Sequence, residues 1–335
     1  MRLIEPLAVS FGAEAMALMK AGLALPFGDG GAFAVARLIE EDGSVHVVLA
    51  SDLSDQWSPA ATLVGGRSWA GLPPEPLVMG VLNVTPDSFS DGGRDRTPAE
   101  SVARGLAMIE AGAAIIDIGG ETTRPGASEV SVQAELDRVL PVLEGLRGRG
   151  AKISVDTRHA AVMRAVLAAG ADIINDVSAL THDPEALGVL AAAGAPEVLM
   201  HMRGDPRTMD RHTDYRDVAV EVTRELAARI ALARQAGLTL DAIAVDPGVG
   251  FAKTAAQSAE LLRRLGLLTN LGVPIVLGAS RKRFVGQLSG VADAASRLGG
   301  SVAAGLAGVA RGARVIRAHD VAETVQALRL MRGVG

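Results

Sequence analysis

The sequence predicts an α/β protein, a (β/α)8 TIM barrel with a small N-terminal α+β extension. From Leu77 onward, eight short apolar runs of strand length alternate with stretches of helical period, which is typical of a parallel sheet covered by helices. Nearly every run also ends in a polar or ionisable residue, as expected where the strands of a barrel converge on one mouth. An open, doubly wound sheet is the alternative fold.

The predicted strands are short and rich in Val, Ile and Leu, as parallel strands buried on both faces usually are. They are LVMGVLNV (77–84), AIIDIGG (114–120), KISVDT (152–157), DIINDVS (172–178), EVLMHM (197–202), IAVDPG (243–248), PIVLGAS (274–280) and ARVIRAH (313–319). The helical candidates between and after them are 98–111, 131–147, 159–169, 184–193, 215–235, 256–270, 294–311 and 320–331.

The chain is longer than the barrel alone requires. It has 335 residues, whereas a barrel typically takes roughly 250. We therefore divide it into an N-terminal extension with a linker at 1–75 and a barrel at 76–335. The linker is predicted at 65–76, where Gly and Pro interrupt any regular structure.

The extension has a pattern of its own. A helix is predicted at 12–22, and strands at 32–39 and 45–49 are predicted to form a hairpin. A module of this size has only a small core. We therefore expect it to lean on the barrel for stability.

Composition excludes several classes of function. The chain has no Cys, which excludes disulfides, thiolate metal sites and a Cys nucleophile. A net charge of -5, with Lys and Arg scattered, gives no reason to expect binding to nucleic acid. No run approaches the ~18 apolar residues of a membrane helix, and the first residues do not resemble a secretory signal. We expect a cytoplasmic protein that binds neither nucleic acid nor a membrane.

Polar residues at the strand ends are the main functional signal. Each one alone has a structural explanation as a helix cap or turn residue, but in a barrel all of them meet at one mouth. They are Asn83, Glu121, Asp156, Asn175, His201, Asp246, Ser280, Arg317 and His319.

Two chemistries are expected at that mouth. Asp156, Asn175 and Asp246, with Lys282 reaching inward, suit a flat heterocycle that presents several N–H donors. Arg317 and His319, together with Arg124 and nearby Asn83, suit an oxyanion such as phosphate or diphosphate. The loops at 85–94 and 121–128 are rich in turn residues, and we expect them to act as lids over a second substrate.

Eight motifs, in order along the barrel, resemble those of the dihydropteroate synthase family. They are MGVLNVTPDSFSDGG (79–93), IDIGGETTRPGA (116–127), SVDT (154–157), INDV (174–177), LMHM (199–202), DPGVGF (246–251), GASRK (278–282) and RAHDV (317–321). The first two are long and highly specific. The resemblance covers the barrel and implies nothing about the first 75 residues.

The resemblance implies a reaction of the folate pathway. 4-Aminobenzoate would attack the exocyclic methylene of 6-hydroxymethyl-7,8-dihydropterin diphosphate, giving 7,8-dihydropteroate and diphosphate. It also implies Mg²⁺ as a cofactor and a homodimer as the assembly.

The resemblance further implies roles for residues, carried over position by position. The implied pterin-binding residues are Asp156, Asn175, Met200, Asp246, Phe251 and Lys282. The implied diphosphate-binding residues are Asn83, which would also bind Mg²⁺, Thr123, Arg124, Arg317 and His319. The residues implied to lie near aminobenzoate are Phe89, Pro125 and Ser280. Catalytic roles are implied for Asp91, Lys282, Arg317 and His319.

Two other functions share part of this pattern. Cobalamin-dependent pterin methyltransferases share the barrel and part of the pterin pocket, but they need neither the two loops nor the pair Arg317 and His319. A catalytically idle paralogue would bind a pterin or a partner without forming product, and we expect it to lack loop or diphosphate residues.

Overall fold

The computed structural model describes residues 1–57, 68–85, 97–122 and 130–334. The N-terminal part is an antiparallel sheet with one helix, and an eight-stranded parallel sheet surrounded by helices follows it.

The antiparallel sheet is built around one central strand. Its strands are β1 (Leu3–Phe11), β2 (Leu25–Phe27), β3 (Gly31–Ile39) and β4 (Val45–Leu49), and α1 (Gly12–Lys20) follows β1. β3 pairs with β1 along one edge and with β2 and β4 along the other. The predicted helix and hairpin are present. β1 is absent from the prediction because its residues do not alternate between buried and exposed, and Ala8 within it has a φ of 47°.

The second sheet is a barrel. Its strands are β5 (Leu77–Asn83), β6 (Ile115–Gly119), β7 (Lys152–Asp156), β8 (Ile173–Asp176), β9 (Glu197–Met200), β10 (Ile243–Asp246), β11 (Val276–Leu277) and β12 (Val315–Ala318). All neighbours are parallel, in the order β10-β9-β8-β7-β6-β5-β12-β11. A parallel bridge between Val245 and Ile275 joins the two ends of this order. The barrel prediction is therefore confirmed, and the open doubly wound sheet is wrong.

Helices cover the outside of the barrel. They are α2 (Pro98–Glu110), α3 (Val132–Leu146), α4 (Ala160–Ala169), α5 (Ala186–Ala193), α6 (Val218–Gln235), α7 (Ala255–Arg263), α8 (Arg283–Ser289), α9 (Leu298–Val309) and α10 (Val321–Val334). Capping boxes begin α2 at Thr97 and α7 at Thr254, where side chains satisfy amide groups that the helix leaves open.

The helices differ from the prediction at two places. The helix predicted at 256–270 ends at Arg263, and a 3₁₀ helix continues over Leu265–Leu271. Between them, Arg264 leaves the helical region, with φ -107° and ψ 22°, and ion pairs hold its guanidinium. The short helix α8 is absent from the prediction because burial of Phe284 and Val285, rather than local sequence, stabilises it.

The lower end of the barrel is filled by apolar side chains. Residues facing inward near the strand starts form one layer, which consists of Met79, Ile115, Ile173, Val198, Ala244, Val276 and Val315. Trp69 and Leu72 pack against this layer, and Arg314 donates to the carbonyl oxygens of Leu72 and Pro73 at 3.0 and 2.5 Å. The described part of the predicted linker, 68–76, therefore closes the lower end of the barrel.

The N-terminal extension packs against the barrel, as expected. Both carboxylate oxygens of Glu5 accept hydrogen bonds from Arg264, at 2.7 and 2.9 Å. Asn270 bonds to the backbone N–H and C=O of Ile4. Leu3 and Ile39 belong to the same buried cluster as the barrel core. None of the described helices combines the length and the apolar character needed to cross a bilayer.

Candidate active site

A polar layer lies above the apolar layer, at the end of the barrel where the strands finish. Because side chains alternate across a strand, residues two and four positions beyond the apolar layer also face inward. A cavity of about 750 Å³ opens at this end. The predicted site residues that line it are Asn83, Asp156, Phe251, Ser280, Lys282, Arg317 and His319.

Arg317 connects the two carboxylates of the polar layer. Its Nε donates to Oδ2 of Asp117 at 2.7 Å, and its Nη2 donates to Oδ2 of Asp156 at 2.9 Å. Asp117 also accepts from Nδ2 of Asn175 at 3.1 Å and from Oγ of Ser154 at 2.6 Å. Four strands thus contribute to one hydrogen-bonded cluster.

Gly278 lies among the side chains of Asp246, Lys282 and Arg317. An added Cβ at Gly278 would lie 3.3 Å from Oδ2 of Asp246 and 3.8 Å from both Nζ of Lys282 and Cδ of Arg317. Any larger residue would intrude among these three side chains. The other oxygen of Asp246 accepts from the N–H of Gly248 at 2.7 Å, which fixes the carboxylate at the strand end.

Lys282 is held against the turn that follows β10. Its Nζ donates to the carbonyl oxygen of Val249 at 2.6 Å and lies 4.5 Å from the centre of the Phe251 ring. Burial lowers the pKa of Lys282 to about 8, against the opposing effect of Asp246. Burial also raises the pKa of Asp156, although the Arg317 guanidinium opposes this.

His319 and Ser280 lie side by side at the rim. His319 Nδ1 is 3.1 Å from Oγ of Ser280, which also accepts from the backbone N–H of His319 at 3.2 Å. Burial, with Arg317 and Arg281 nearby, lowers the pKa of His319 to about 3. His319 is therefore neutral at pH 7 in the absence of a bound anion.

Asn83 lies beside Asp156. An added Cβ at Gly119, between them, would be 3.3 Å from Oδ1 of Asn83 and 3.8 Å from Cβ of Asp156. The position next to Asn83 must therefore stay small, and its amide oxygen remains close to the polar layer. Met200 is buried, near the turn at Gly248.

One expected rim residue does not face the mouth. His201 contacts Glu225 on α6 through Nε2 at 2.9 Å and Lys253 through Nδ1 at 3.0 Å. It follows Met200, which faces inward, so alternation directs it toward the helices. The expectation that His201 contributes to the mouth is wrong.

The described predicted residues therefore collect at one end of the barrel. Five predicted residues lie outside the described ranges, and they are Phe89, Asp91, Thr123, Arg124 and Pro125. Their proposed roles rest on the resemblance alone.

The sequence analysis missed two buried polar residues near the site. Asp117 has an exposed fraction of 0%, and the period of two along β6 would have placed it inward with Ile115. Lys253 donates to His201, Gly248 and Phe251, but nothing in its sequence context separates it from a surface lysine.

Known proteins resemble most of this chain. Residues 79–319 match the family model described as pterin binding enzyme. The dihydropteroate synthase of Escherichia coli K12 is 47% identical over 257 residues, covering 76% of this chain and 90% of that relative.

Solved structures agree. The Xanthomonas albilineans dihydropteroate synthase with 4-aminobenzoic acid has a TM-score of 0.73 and 49% identity, covering 78% of this chain and 93% of that one. The structure of the enzyme from the same organism with 7,8-dihydropteroate has a TM-score of 0.70 and 46% identity, covering 78% and 94%.

Proposed function

This chain belongs to the dihydropteroate synthase family of pterin-binding enzymes, and we propose how its residues carry out the family's reaction. The enzyme is a transferase that condenses 6-hydroxymethyl-7,8-dihydropterin diphosphate with 4-aminobenzoate, giving 7,8-dihydropteroate and diphosphate in folate biosynthesis. The observation that carries this conclusion is the shared cavity, where Asp156 and Lys282 lie with Arg317 and His319.

The pterin would lie over the centre of the polar layer. Asp156, Asn175 and Asp246 offer oxygen acceptors for its N–H groups, and Lys282 offers a donor for a ring oxygen or nitrogen. Met200 and Phe251 would contact the ring faces. Buried polar groups of this kind discriminate strongly, because a ring with the wrong edge leaves one of them unpaired.

The diphosphate would lie at the rim beside Arg317 and His319, with Thr123 and Arg124 from the second loop. A guanidinium is a strong partner for phosphate oxygens. His319 would first act as a neutral hydrogen-bond partner, and a bound anion would favour its protonation.

Asn83 suits the magnesium ion that the family uses. Its amide oxygen is the hard ligand that Mg²⁺ prefers, and Mg²⁺ commonly takes one or two protein ligands with substrate phosphates and water. Among the described residues, no group of three His, Cys, Asp or Glu side chains could hold a metal ion, so phosphate oxygens and water would supply most of its ligands. When bound, the ion would neutralise charge on the leaving diphosphate.

The chain itself would act by positioning and electrostatics. The amine nitrogen of 4-aminobenzoate bonds to the exocyclic methylene carbon, the bond from that carbon to the diphosphate oxygen breaks, and the resulting ammonium loses a proton to water. An arylamine is neutral at pH 7, so no strong base is needed. We propose that Ser280, Phe89 and Pro125 position aminobenzoate, and that Asp91 assists at the reacting carbon.

The test is direct formation of product. Purified protein is incubated with the pterin diphosphate, 4-aminobenzoate and Mg²⁺, and dihydropteroate is measured by mass spectrometry, with each component omitted in turn. We expect product only in the complete mixture. Binding of the pterin diphosphate without any product would favour the idle paralogue instead.

Two further properties are proposed from the resemblance. We propose that the enzyme works in the cytoplasm and that it is a homodimer. Light scattering on a size-exclusion column should give twice the chain mass of 34.4 kDa. A mass of one chain at micromolar concentration would contradict the dimer.

A further inference from the structure

A buried carboxylate lies beneath the proposed pterin subsite. Asp117 on β6 has an exposed fraction of 0%, and the residues lining the cavity include Asp156 and Arg317 but not Asp117. Asp117 thus supports residues at the cavity without lining it.

Asp117 fixes which way the amide of Asn175 points. A carboxylate can only accept hydrogen bonds unless it is protonated, and Asp117 already accepts from Ser154 and Arg317. The group of Asn175 that faces it at 3.1 Å must therefore be the NH₂. The other orientation would bring the carbonyl oxygen of Asn175 against a carboxylate oxygen. The carbonyl oxygen of Asn175 is then available to a ring, beside the one N–H of its NH₂ group that Asp117 does not hold.

The same carboxylate orients Arg317. Because Nε of Arg317 bonds to Asp117 while Nη2 bonds to Asp156, the plane of the guanidinium is held by two strands other than its own. Asp117 therefore acts at once on a group proposed for the pterin and on a group proposed for the diphosphate.

We propose that Asp117 is a positioning residue that sets the donor and acceptor polarity of the pterin subsite. This inference rests on the proposed function. By holding the NH₂ group of Asn175, Asp117 keeps that subsite rich in acceptors. The subsite then favours a ring edge that carries an exocyclic amine beside ring N–H groups, and it disfavours a ring with a carbonyl in place of the amine.

The test is Asp117→Asn, which nearly preserves volume but can present its own NH₂ to Asn175. The amide of Asn175 is then free to reverse. We expect KM for the pterin diphosphate to rise at least about tenfold, the loss typical of a charge-assisted hydrogen bond, while KM for 4-aminobenzoate changes by less than about threefold. Competitive inhibition by 6-hydroxymethylpterin should weaken relative to inhibition by the lumazine analogue, which has a carbonyl in place of the amine.

Asp176→Asn is the matched control. Asp176 also has an exposed fraction of 0% and directly follows Asn175, but its side chain accepts from the backbone N–H groups of Ser178 and Leu180 rather than joining the cluster. We expect it to lower the melting temperature without changing either KM or the preference between the two rings. Thermal melts of both variants separate loss of fold from loss of binding.

A milder variant covers the case in which Asp117→Asn does not fold. Ser154→Ala removes one donor to Asp117 and leaves its contacts with Asn175 and Arg317 in place. KM for the pterin diphosphate should therefore rise by about threefold, because Asp117 is held less firmly, while the ring preference stays that of the wild type. If the wild-type enzyme forms dihydropteroate but folded Asp117→Asn keeps its KM and ring preference, or Ser154→Ala keeps its KM, the inference is overturned. If the wild-type enzyme forms no dihydropteroate, the proposed function fails first.

Discussion

Lys282 can be tested through its charge, because its burial brings its titration into an accessible pH range. Its pKa is lowered from 10.5 to about 8. Below pH 8 the folded protein carries an ammonium at this position, and above it the amine is neutral. The proposed contact with a ring oxygen or nitrogen is strongest for the ammonium.

We therefore expect kcat/KM for the pterin diphosphate to fall as pH rises through about 8. Loss of folding caused by Lys282 cannot explain this fall. Between pH 8 and 10.5 the unfolded chain binds more protons at Lys282 than the folded protein does, so the contribution of Lys282 to the free energy of unfolding increases with pH. Lys282→Arg should remove the fall or move it to higher pH. A fall centred near pH 7, unchanged in this variant, would instead implicate Lys253, whose pKa burial lowers to about 7.

Removal of either cation of the site should lower catalytic efficiency strongly. Lys282→Ala and Arg317→Ala are each expected to lower kcat/KM by at least about a hundredfold, because each deletes a charged partner of the substrate. Thermal melts check that the fold survives. Near-normal turnover in both variants would count heavily against the site assignment.

The location of a single residue was predictable only where its position along a strand decides whether its side chain points into the barrel or toward the helices. Asn83, Asp156, Asn175, Asp246 and Arg317 follow apolar strands at a period of two. The structure places Asn83, Asp156 and Arg317 in the lining of the cavity and Asn175 and Asp246 in the polar layer with them. His201 shows the limit of the argument, because it lies one step out of phase and turns toward α6. The contacts of Lys253 depend on how α6, β9 and the turn after β10 pack together, and no local pattern encodes that.

At the scale of elements, the antiparallel sheet is joined to the barrel by a buried ion pair. Glu5 and Arg264 have exposed side-chain fractions of 5% and 7%. Removal of Glu5 takes two charged hydrogen bonds from Arg264, which keeps its pair with Asp217. Glu5→Ala should therefore lower the free energy of unfolding by about 2 kcal/mol, measured by urea denaturation. Glu40→Ala is the control, because its partner Arg2 is 48% exposed and such pairs contribute about 0–1 kcal/mol. Equal losses in both would contradict the buried-pair explanation.

The turn that closes the lower end of the barrel should affect stability but not chemistry. Trp69 is 1% exposed, and Trp69→Ala leaves a large cavity under the apolar layer. We expect a loss of about 3–5 kcal/mol in unfolding free energy, with KM values unchanged because the active site is at the opposite end. A change in KM with unchanged stability would contradict this view of Trp69.

The strands of the barrel were predictable because burial on both faces gives continuous apolar runs, and the structure begins and ends each run within a few residues of the prediction. Elements that depend on distant partners were not predictable. The 3₁₀ segment at Leu265–Leu271 packs against β1 from the other end of the chain. Residues 68–76 close the lower end of the barrel, and this role depends on contacts of Trp69 with several strands that are distant in sequence.

For the molecule as a whole, we propose that the extension at 1–75 and the barrel at 76–335 are distinct segments of the sequence but unfold as one unit. Leu3 and Ile39 share the barrel's buried cluster. Calorimetry should therefore give one cooperative transition, with equal calorimetric and van't Hoff enthalpies. Two resolved transitions would mean that the extension unfolds independently.

The pairing of β5 with β12 has a consequence for synthesis of the chain. Leu77 pairs with Val315, so β5 gains its neighbour on this side only after residues 78–314, which separate the two strands, have left the ribosome. Until then, the exposed edge of β5 invites pairing with other nascent chains. Slow closure through such a distant pairing makes assistance from chaperones most valuable until β12 has emerged.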